Sequence, residues 1–397
     1  MAKKKWTIPV PKYSKHRIAI LGGGVAGVSL ALFIKNRDPS FEVSIFDDSK
    51  KVASRILISG NGRSNFFNTD YFNPSNLEDP IFHKAKSIVE GSIGLDAFNE
   101  FIKITNCPYF NQGNLIYPFA NKSSALYDSM MDKIQQYKAQ IIHEKVIDVF
   151  ENKDESISFK TIDENNDIKK YSFDKVCLSF GGNSLAYPPF DWSILKSLNL
   201  KHVEYTPAIC PIKVKEKGLK TLDGIRAKCI MSLYKKDDLI YKEEGEILFK
   251  PDGLSGICIF NASIRLNPNE LNSYSIHLDL TKHSNSKIEV DMNNIYYAYP
   301  KQLSEYIVKK SKEDSKTLNN EASDLSFQIQ GLYPFKFSQV SKGGIDFSEI
   351  NTKNMNLIKH KNIYTLGEML DIPLPCGGYN IGLCIIEAYK AMLSLLS

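Results

Sequence analysis

The chain has 397 residues, enough for two or three domains. A hydrophobic fraction of 43% and a charged fraction of 24% are those of a globular protein and exclude a disordered or fibrous one. The net charge of +5 is small for this length, and no long basic tract carries interleaved aromatics, so a nucleic-acid partner is not expected.

Residues 1–16 form a basic tail in which Lys3, Lys4, Lys5, Lys12 and Lys15 are balanced by no acid. Its apolar piece, Trp6 to Pro11, is too short and too broken by proline for a secretory signal. The tail reads as a solvated segment, with contact to an anionic surface as the alternative.

Arg17 to Leu21 reads as a buried strand, Val25 to Asn36 as a helix stopped near Asp38-Pro39, and Glu42 to Asp47 as the next strand. Strand, helix and strand within about thirty residues make the βαβ unit of a parallel sheet. The uncharged stretch Ile18 to Ile34 approaches the length of a membrane span, but four glycines interrupt it where the strand turns into the helix. No membrane span is expected.

Lys145 to Phe150, Ser156 to Thr161 and Lys169 to Phe173 read as an antiparallel meander with a turn at 163–167. Lys175 to Phe180 is a buried strand ending in Gly181-Gly182. From Thr206 to Phe249 short alternating pieces (Ile212 to Val214, Ala227 to Tyr234, Glu246 to Phe249) suggest a separate β domain. Asn293 to Ser311 has helical spacing that Pro300 divides. Asn362 to Leu366 reads as a buried strand and Ile381 to Leu396 as the last helix.

Seven scattered cysteines include no C-x-x-C pair, and the seven histidines are dispersed. That pattern predicts reduced thiols in a cytoplasmic protein and no metal site.

Three clusters carry chemistry. The first is Gly22-Gly23-Gly24-Val25-Ala26-Gly27, a G-x-G-x-x-G with a strand before it and a helix after it. Gly22 makes the tight turn, Gly24 lets a pyrophosphate approach the backbone, and Gly27 lets helix and strand pack. The amides of Val25 and Ala26 open the helix toward the phosphates. Asp47, twenty positions after Gly27, ends the second strand, where a carboxylate accepts ribose hydroxyls. Asp48 is the alternate, but its side chain is expected to point the other way.

The second cluster is Arg55 followed by Ser59-Gly60-Asn61-Gly62-Arg63-Ser64-Asn65. Flexible backbone, amide donors and two fixed positive charges suit a pyrophosphate or the edge of a flavin. An ordinary polar loop is the alternative. The third comprises Gly367-Glu368, Asp371 and Cys376-Gly377-Gly378-Tyr379-Asn380-Ile381 at the start of the last helix. Gly-acid at a strand end can offer a carboxylate to a ribityl hydroxyl, and a glycine pair opening a helix can offer N–H groups to a flavin carbonyl. Together the clusters predict FAD. No catalytic residue stands out: Cys376 lacks a neighbouring cysteine, and Lys250 reads as a surface lysine.

The three clusters occur in order with Tyr117-Pro118, Lys122-Ser123-Ser124, Gly253-Leu254-Ser255-Gly256 and Gly343-Gly344-Ile345. The chain therefore resembles, from about Arg17 to the last helix, the bacterial FAD-binding family that includes aminoacetone oxidase and bile-acid-converting NAD(P)H flavoproteins. The resemblance implies an α/β, Rossmann-like FAD domain of the two-dinucleotide-binding type over 17–205 and 338–397. It implies an inserted β-barrel over 206–282 and 328–337 and a small helical insertion over 283–327. It also implies an adenine contact from Val146 and adds Gly181-Gly182 to the cofactor-binding set.

The chain departs from the family pattern with Ser64 for cysteine, Arg55 for lysine, Ala53-Ser54 for Gly-Arg, and a proline- and tyrosine-bearing segment from Asn183 to Phe190. These changes bear on substrate and electron acceptor rather than on FAD. The expected function is a FAD-dependent oxidoreductase acting on a small organic substrate, of amine-oxidase type. The alternatives are an NAD(P)H-dependent reductase, with the nicotinamide as transient donor, or a flavin-binding module for RNA or protein.

Overall fold

β1 (Arg17–Leu21) has four successive apolar residues, Ile18 to Leu21, each at most 1% exposed. A strand buried on both faces belongs at the centre of a covered parallel sheet, and that is where the computed structural model places it. The structure describes residues 17–185, 189–312 and 314–397; the basic tail and the middle of the Asn183 to Phe190 segment lie outside the described residues.

The described residues divide into two compact units. The first draws on the described residues of 17–182, 189–205 and 343–397. In it, β1 leads through α1 (Val25–Arg37) to β2 (Glu42–Phe46), close to the predicted bounds. β3 (Gln140–Ile142), β4 (Lys175–Leu178) and β5 (Ile363–Thr365) complete the parallel part of the sheet, in the order β5-β4-β1-β2-β3. Two short antiparallel strands, Asn356–Leu357 and Ile350–Asn351, extend it beyond β5. Strand order reverses at β1, so the carboxyl ends of β1 and β4 flank a topological switch point, where open α/β sheets bind ligands.

α1 is buried from Ala26 to Ile34 on every side. A helix without a wet face has to lie between two layers. Here the sheet is one, and the C-terminal helix α2 (Tyr379–Leu395) is the other, with Phe33 and Tyr389 edge to face at 5.3 Å. Asp38 and Pro39 end α1 as expected, the Asp38 N–H donating to Ile34 O at 2.8 Å.

The meander forms as predicted, from Lys145–Glu151, Ile157–Ile162 and Ile168–Phe173. Glu144, buried at its entrance, accepts from Thr161 Oγ1 and Lys169 Nζ, both at 2.6 Å, and from the Tyr171 hydroxyl. The same stretch borders Asp47: the Asp47 N–H donates to Ile142 O at 3.1 Å, and His143 Nδ1 lies 2.8 Å from Ser49 O. Helices Ile93–Thr105 and Ser123–Gln136, not read from the sequence, add the remaining cover.

The second unit, the described residues of 183–185 and 206–342, holds a closed six-stranded barrel. Its order is Ile212–Val214, Gly253–Ser255, Asp238–Lys250, Arg226–Lys235, Tyr274–Asp279 and Leu325–Leu332, closed by pairing of the first with the last. The strand expected only over Glu246 to Phe249 runs from Asp238. Its first half reads as polar because its side chains are largely exposed, while the ladder to Arg226–Lys235 continues beneath them. Helices Ile295–Ala298 and Lys301–Lys310 flank Pro300, which divides them as predicted. Among the described residues no helix is long and apolar enough to cross a membrane.

A Cβ at Gly27 would sit 2.2 Å from Gly22 O and 2.8 Å from Ser179 Oγ. We expect Gly27→Ala to force α1 away from β1 and cost about 1–3 kcal/mol in urea denaturation. A loss below about 0.5 kcal/mol would show that the contact is not tight.

Candidate functional site

The glycine loop is fixed from three sides. Gly22 N–H donates to Phe46 O at 2.8 Å, continuing the β1–β2 ladder past the strand end. Gly23 N–H donates to Asp47 Oδ2 at 2.6 Å, and Gly23 O accepts from Ala53 N–H at 2.7 Å. Ser179, at the end of β4, donates through Oγ to Gly22 O at 2.7 Å. Gly22 has φ +109°, and a Cβ there would lie 2.2 Å from Ser179 O, so no other residue fits.

Gly24 differs from these: a Cβ there would meet nothing within 4 Å. Its own conformation, φ −70° and ψ −174°, suits any residue. The glycine is thus not required by the protein's packing. It leaves open space beside the first turn of α1, whose amides have no intrahelical acceptors. That combination fits a phosphate-bearing ligand.

Asp47 is half-buried and Asp48 exposed, both just beyond the end of β2. Besides Gly23, Asp47 accepts from Ser49 N–H at 2.9 Å and from the Ser49 hydroxyl. Val146, 5% exposed, sits in the meander strand that begins three residues after Ile142, the residue bonded to Asp47.

The second and third clusters meet at the end of β4. Arg55 donates from Nη2 to Gly182 O at 3.0 Å, and its Nη1 is 3.7 Å from Glu368 Oε2. The same Glu368 oxygen accepts from Gly182 N–H at 3.1 Å. Tyr205, 7% exposed, donates to both Gly181 O (3.2 Å) and Glu368 O (3.1 Å). Desolvation pushes the Glu368 carboxyl above its ordinary range, while Arg55 and the Gly182 N–H pull it down. Burial, with the charge of Glu368 adding, pushes the Tyr205 phenol well up, so it remains a donor.

The segment Ser54–Gly62, expected as a flexible loop, is a 3₁₀ turn with a break at Ser59, Gly60 and Asn61. Ser59 Oγ donates to Ile56 O (2.6 Å) and to Ser64 Oγ (3.1 Å), and Ser123 Oγ donates to Leu57 O (2.7 Å). Gly60 and Asn61 are exposed at its tip and Gly62 is half-buried. Arg63 turns toward the neighbouring hairpin: its Nε donates to Asn121 Oδ1 at 2.7 Å and its guanidinium lies 4.6 Å over the Tyr117 ring. Asn65 bridges to α2, its amide nitrogen facing Phe67 O and Ile116 O and its oxygen accepting from Gly378 N–H at 3.2 Å; the partners dictate this orientation.

The start of α2 is anchored by the same stretch. Asn68 Nδ2 donates to Gly377 O at 2.9 Å, the Tyr71 hydroxyl to Tyr379 O at 2.8 Å, and the Tyr379 hydroxyl to Asp70. Asn380 holds the preceding loop, donating to Leu374 O and accepting from Leu374 N–H, and Ile381 follows half-buried. Asp371 accepts from Gly343 N–H at 2.9 Å and pairs with Lys84 at 2.9 Å.

Sequence reasoning missed Ser179, Tyr205 and Glu387, and gave Gly23 of the loop no role of its own. Ser179 carried a local signal, since it lies two residues before Gly181. Glu387, 1% exposed, is a carboxylate inside an otherwise apolar helix and donates nothing to the motif pattern. In the second unit Ser275, His277 and Asp324 stand at relay distances, 3.0 Å and 2.6 Å. The Asp324 side chain is 66% exposed, unlike the buried carboxylate of a relay. The trio is a surface hydrogen-bonded set. Among the described residues no group of three or more His, Cys, Asp or Glu could hold a metal ion.

Residues 16–393 match the family described as HI0933-like protein Rossmann domain. The chain belongs to this FAD-binding family. It is 22% identical to the 3-dehydro-bile acid delta(4,6)-reductase of Clostridium scindens, over 95% of this chain and 98% of that protein. It is 24% identical to the ribosomal RNA dihydrouridine synthase of Haemophilus influenzae, over 97% and 99%. Among solved structures, the 3-ketosteroid delta1-dehydrogenase of Sterolibacterium denitrificans superposes with a TM-score of 0.50 at 11% identity, covering 96% of this chain and 99% of that one. That likeness is one of fold. The protein is a FAD-dependent oxidoreductase.

Gly24 separates packing from ligand. We expect Gly24→Ala to change the unfolding free energy of the FAD-free protein by about 1 kcal/mol or less, yet to weaken FAD binding at least about tenfold, read by fluorescence titration. Equal FAD affinity in the variant would remove the open face of Gly24 from the site.

Proposed function

We propose that this oxidoreductase saturates a carbon–carbon double bond conjugated to a carbonyl in a small organic substrate, with a nicotinamide nucleotide as transient electron donor. The observation that carries this reading is the chemistry shared by two relatives spanning nearly the whole chain. One is named for reducing the delta(4,6) double bonds of a 3-dehydro bile acid, the other for making dihydrouridine. Each name describes hydrogen added across a double bond activated by a neighbouring carbonyl. The amine-oxidase expectation has no such support and ranks behind the reductase.

In this reading the first turn of α1, with Gly22, Gly24, Val25, Ala26 and Gly27, holds the pyrophosphate of FAD. Asp47 accepts from the ribose and Val146 lies against the adenine. Arg55, Gly181, Gly182, Gly367 and Glu368 border the ribityl chain, and the segment Gly377 to Ile381 at the start of α2 faces the flavin. FAD bound there supplies the two-electron hydride chemistry. The protein's residues bind and orient it. Asp47 repels an additional phosphate on the ribose. The start of α2 holds negative charge at a ring carbonyl through N–H groups that need no reorganisation. Ser59, Gly60, Asn61, Gly62, Arg63 and Asn65 shape the wall between these ends, Arg63 by bracing the adjoining hairpin.

The purified protein should be yellow and should bleach anaerobically with NADH or NADPH. An α,β-unsaturated ketone such as cyclohexenone should then restore the colour. Bleaching by small amines and by neither nicotinamide would overturn the reductase. Recovery with a uridine-containing RNA and with no small enone would replace the small substrate by RNA.

A further inference from the structure

Beneath the proposed flavin site, Glu387 projects from the middle of α2 and is 1% exposed. Its Oε2 accepts from Gly367 N–H at 2.6 Å. Gly367 has φ +69° and turns the chain directly after β5. It is wedged between both helices: a Cβ there would lie 3.2 Å from Ala26 Cβ in α1 and 3.4 Å from Cys384 Sγ in α2. The next residue is Glu368, which accepts from Gly182 N–H, faces Arg55, and gives its carbonyl to Tyr205. A continuous set of bonds thus runs from inside α2, through one backbone amide, to the place where the second and third clusters meet.

We infer that Glu387 is a positioning residue for FAD: it fixes the Gly367 turn, and through it the Glu368 carboxylate, in the place where the cofactor requires them. The inference rests on the FAD site proposed above. A buried backbone N–H has to be bonded, and at this left-handed turn the helix, not the strand ladder, provides the acceptor.

The device is sensitive to pH. Burial, opposed by the Gly367 N–H, raises the Glu387 carboxyl from its ordinary 4.5 to about 8. The titratable groups that feel its charge are Tyr71, Cys177 from β4, and Cys384 from its own helix, and Cys384 also feels Glu368. All become negative on losing a proton, so none offsets the charge. The folded protein therefore keeps a proton that the unfolded chain has already lost. Stability is fully present below about pH 4.5 and is lost as pH rises through about 8.

The test compares wild type, Glu387→Gln and Glu387→Ala as full-length proteins from about pH 6 to about pH 9. FAD affinity is read by fluorescence and the unfolding midpoint of the FAD-free protein by calorimetry. In wild type the midpoint should fall as pH rises toward about 8 and level off above it, while FAD affinity holds, because the ionised carboxylate accepts the Gly367 N–H at least as well as the acid. Glu387→Gln, which accepts from the same N–H but cannot ionise, should keep that affinity with a flat midpoint profile. Glu387→Ala should lose about tenfold in affinity at every pH. Glutamine binding FAD as weakly as alanine, or sharing the wild-type slope of the midpoint with pH, would overturn the inference. Should alanine fail to fold, the glutamine comparison decides. If no variant binds FAD, the cofactor reading has failed, and the midpoint profile still judges the Glu387–Gly367 bond.

Discussion

The approach of α1 to the ends of β1 and β4 is closer than any side chain permits. Gly27 lies against Gly22 O and Ser179 Oγ, and Gly22 against Ser179 O. From this contact follows the direction of α1, and hence the position of its free amides over the switch point of the sheet. The burial of α1 follows as well. Held this near the strands, it leaves a second face that α2 must cover, and α2 in turn carries the third cluster to the same end of the sheet.

The site is assembled from segments far apart in sequence, and most of the bonds that join them use the main chain. Gly23, Gly182, Gly343, Gly367 and Gly378 each donate an N–H to a side-chain oxygen from a distant element. At Gly23 a Cβ would lie 3.1 Å from the acceptor itself, Asp47 Oδ2. The polar side chains of the motifs thus serve the backbone at least as much as they face a ligand. Asp47 shows both roles at once: it braces Gly23 and Ser49 at the end of β2, where a carboxylate still has acceptor capacity to share.

Much of the first unit was legible because its signals are local. Four apolar residues, three glycines at fixed spacing and an acid twenty positions on describe β1, α1 and β2 without reference to anything remote. The meander was legible from alternation and the Asp163 to Asp167 turn. What could not be read depends on partners. Asp238–Lys250 is a long strand because Arg226–Lys235 lies beside it, and its charged half carries no apolar period of its own. Tyr205 precedes a change of unit and looks like any strand tyrosine until Gly181 and Glu368 are placed around it. Glu387 interrupts an apolar helix, which in isolation reads as a defect and in the structure is an acceptor for a turn twenty residues away.

The closure of the barrel has an evolutionary consequence. The barrel closes on itself, and only the first part of the long strand Asp238–Lys250, laddered to Arg226–Lys235 alone, keeps an unpaired side. New sequence can therefore enter only between strands. The connection from Asp279 to Leu325 already holds three helices and a small hairpin while the ladders on either side stay in register. Lengthening a surface connection costs little, since closure entropy grows only with the logarithm of its length. That connection is where members of such a family can diverge in size without disturbing either core.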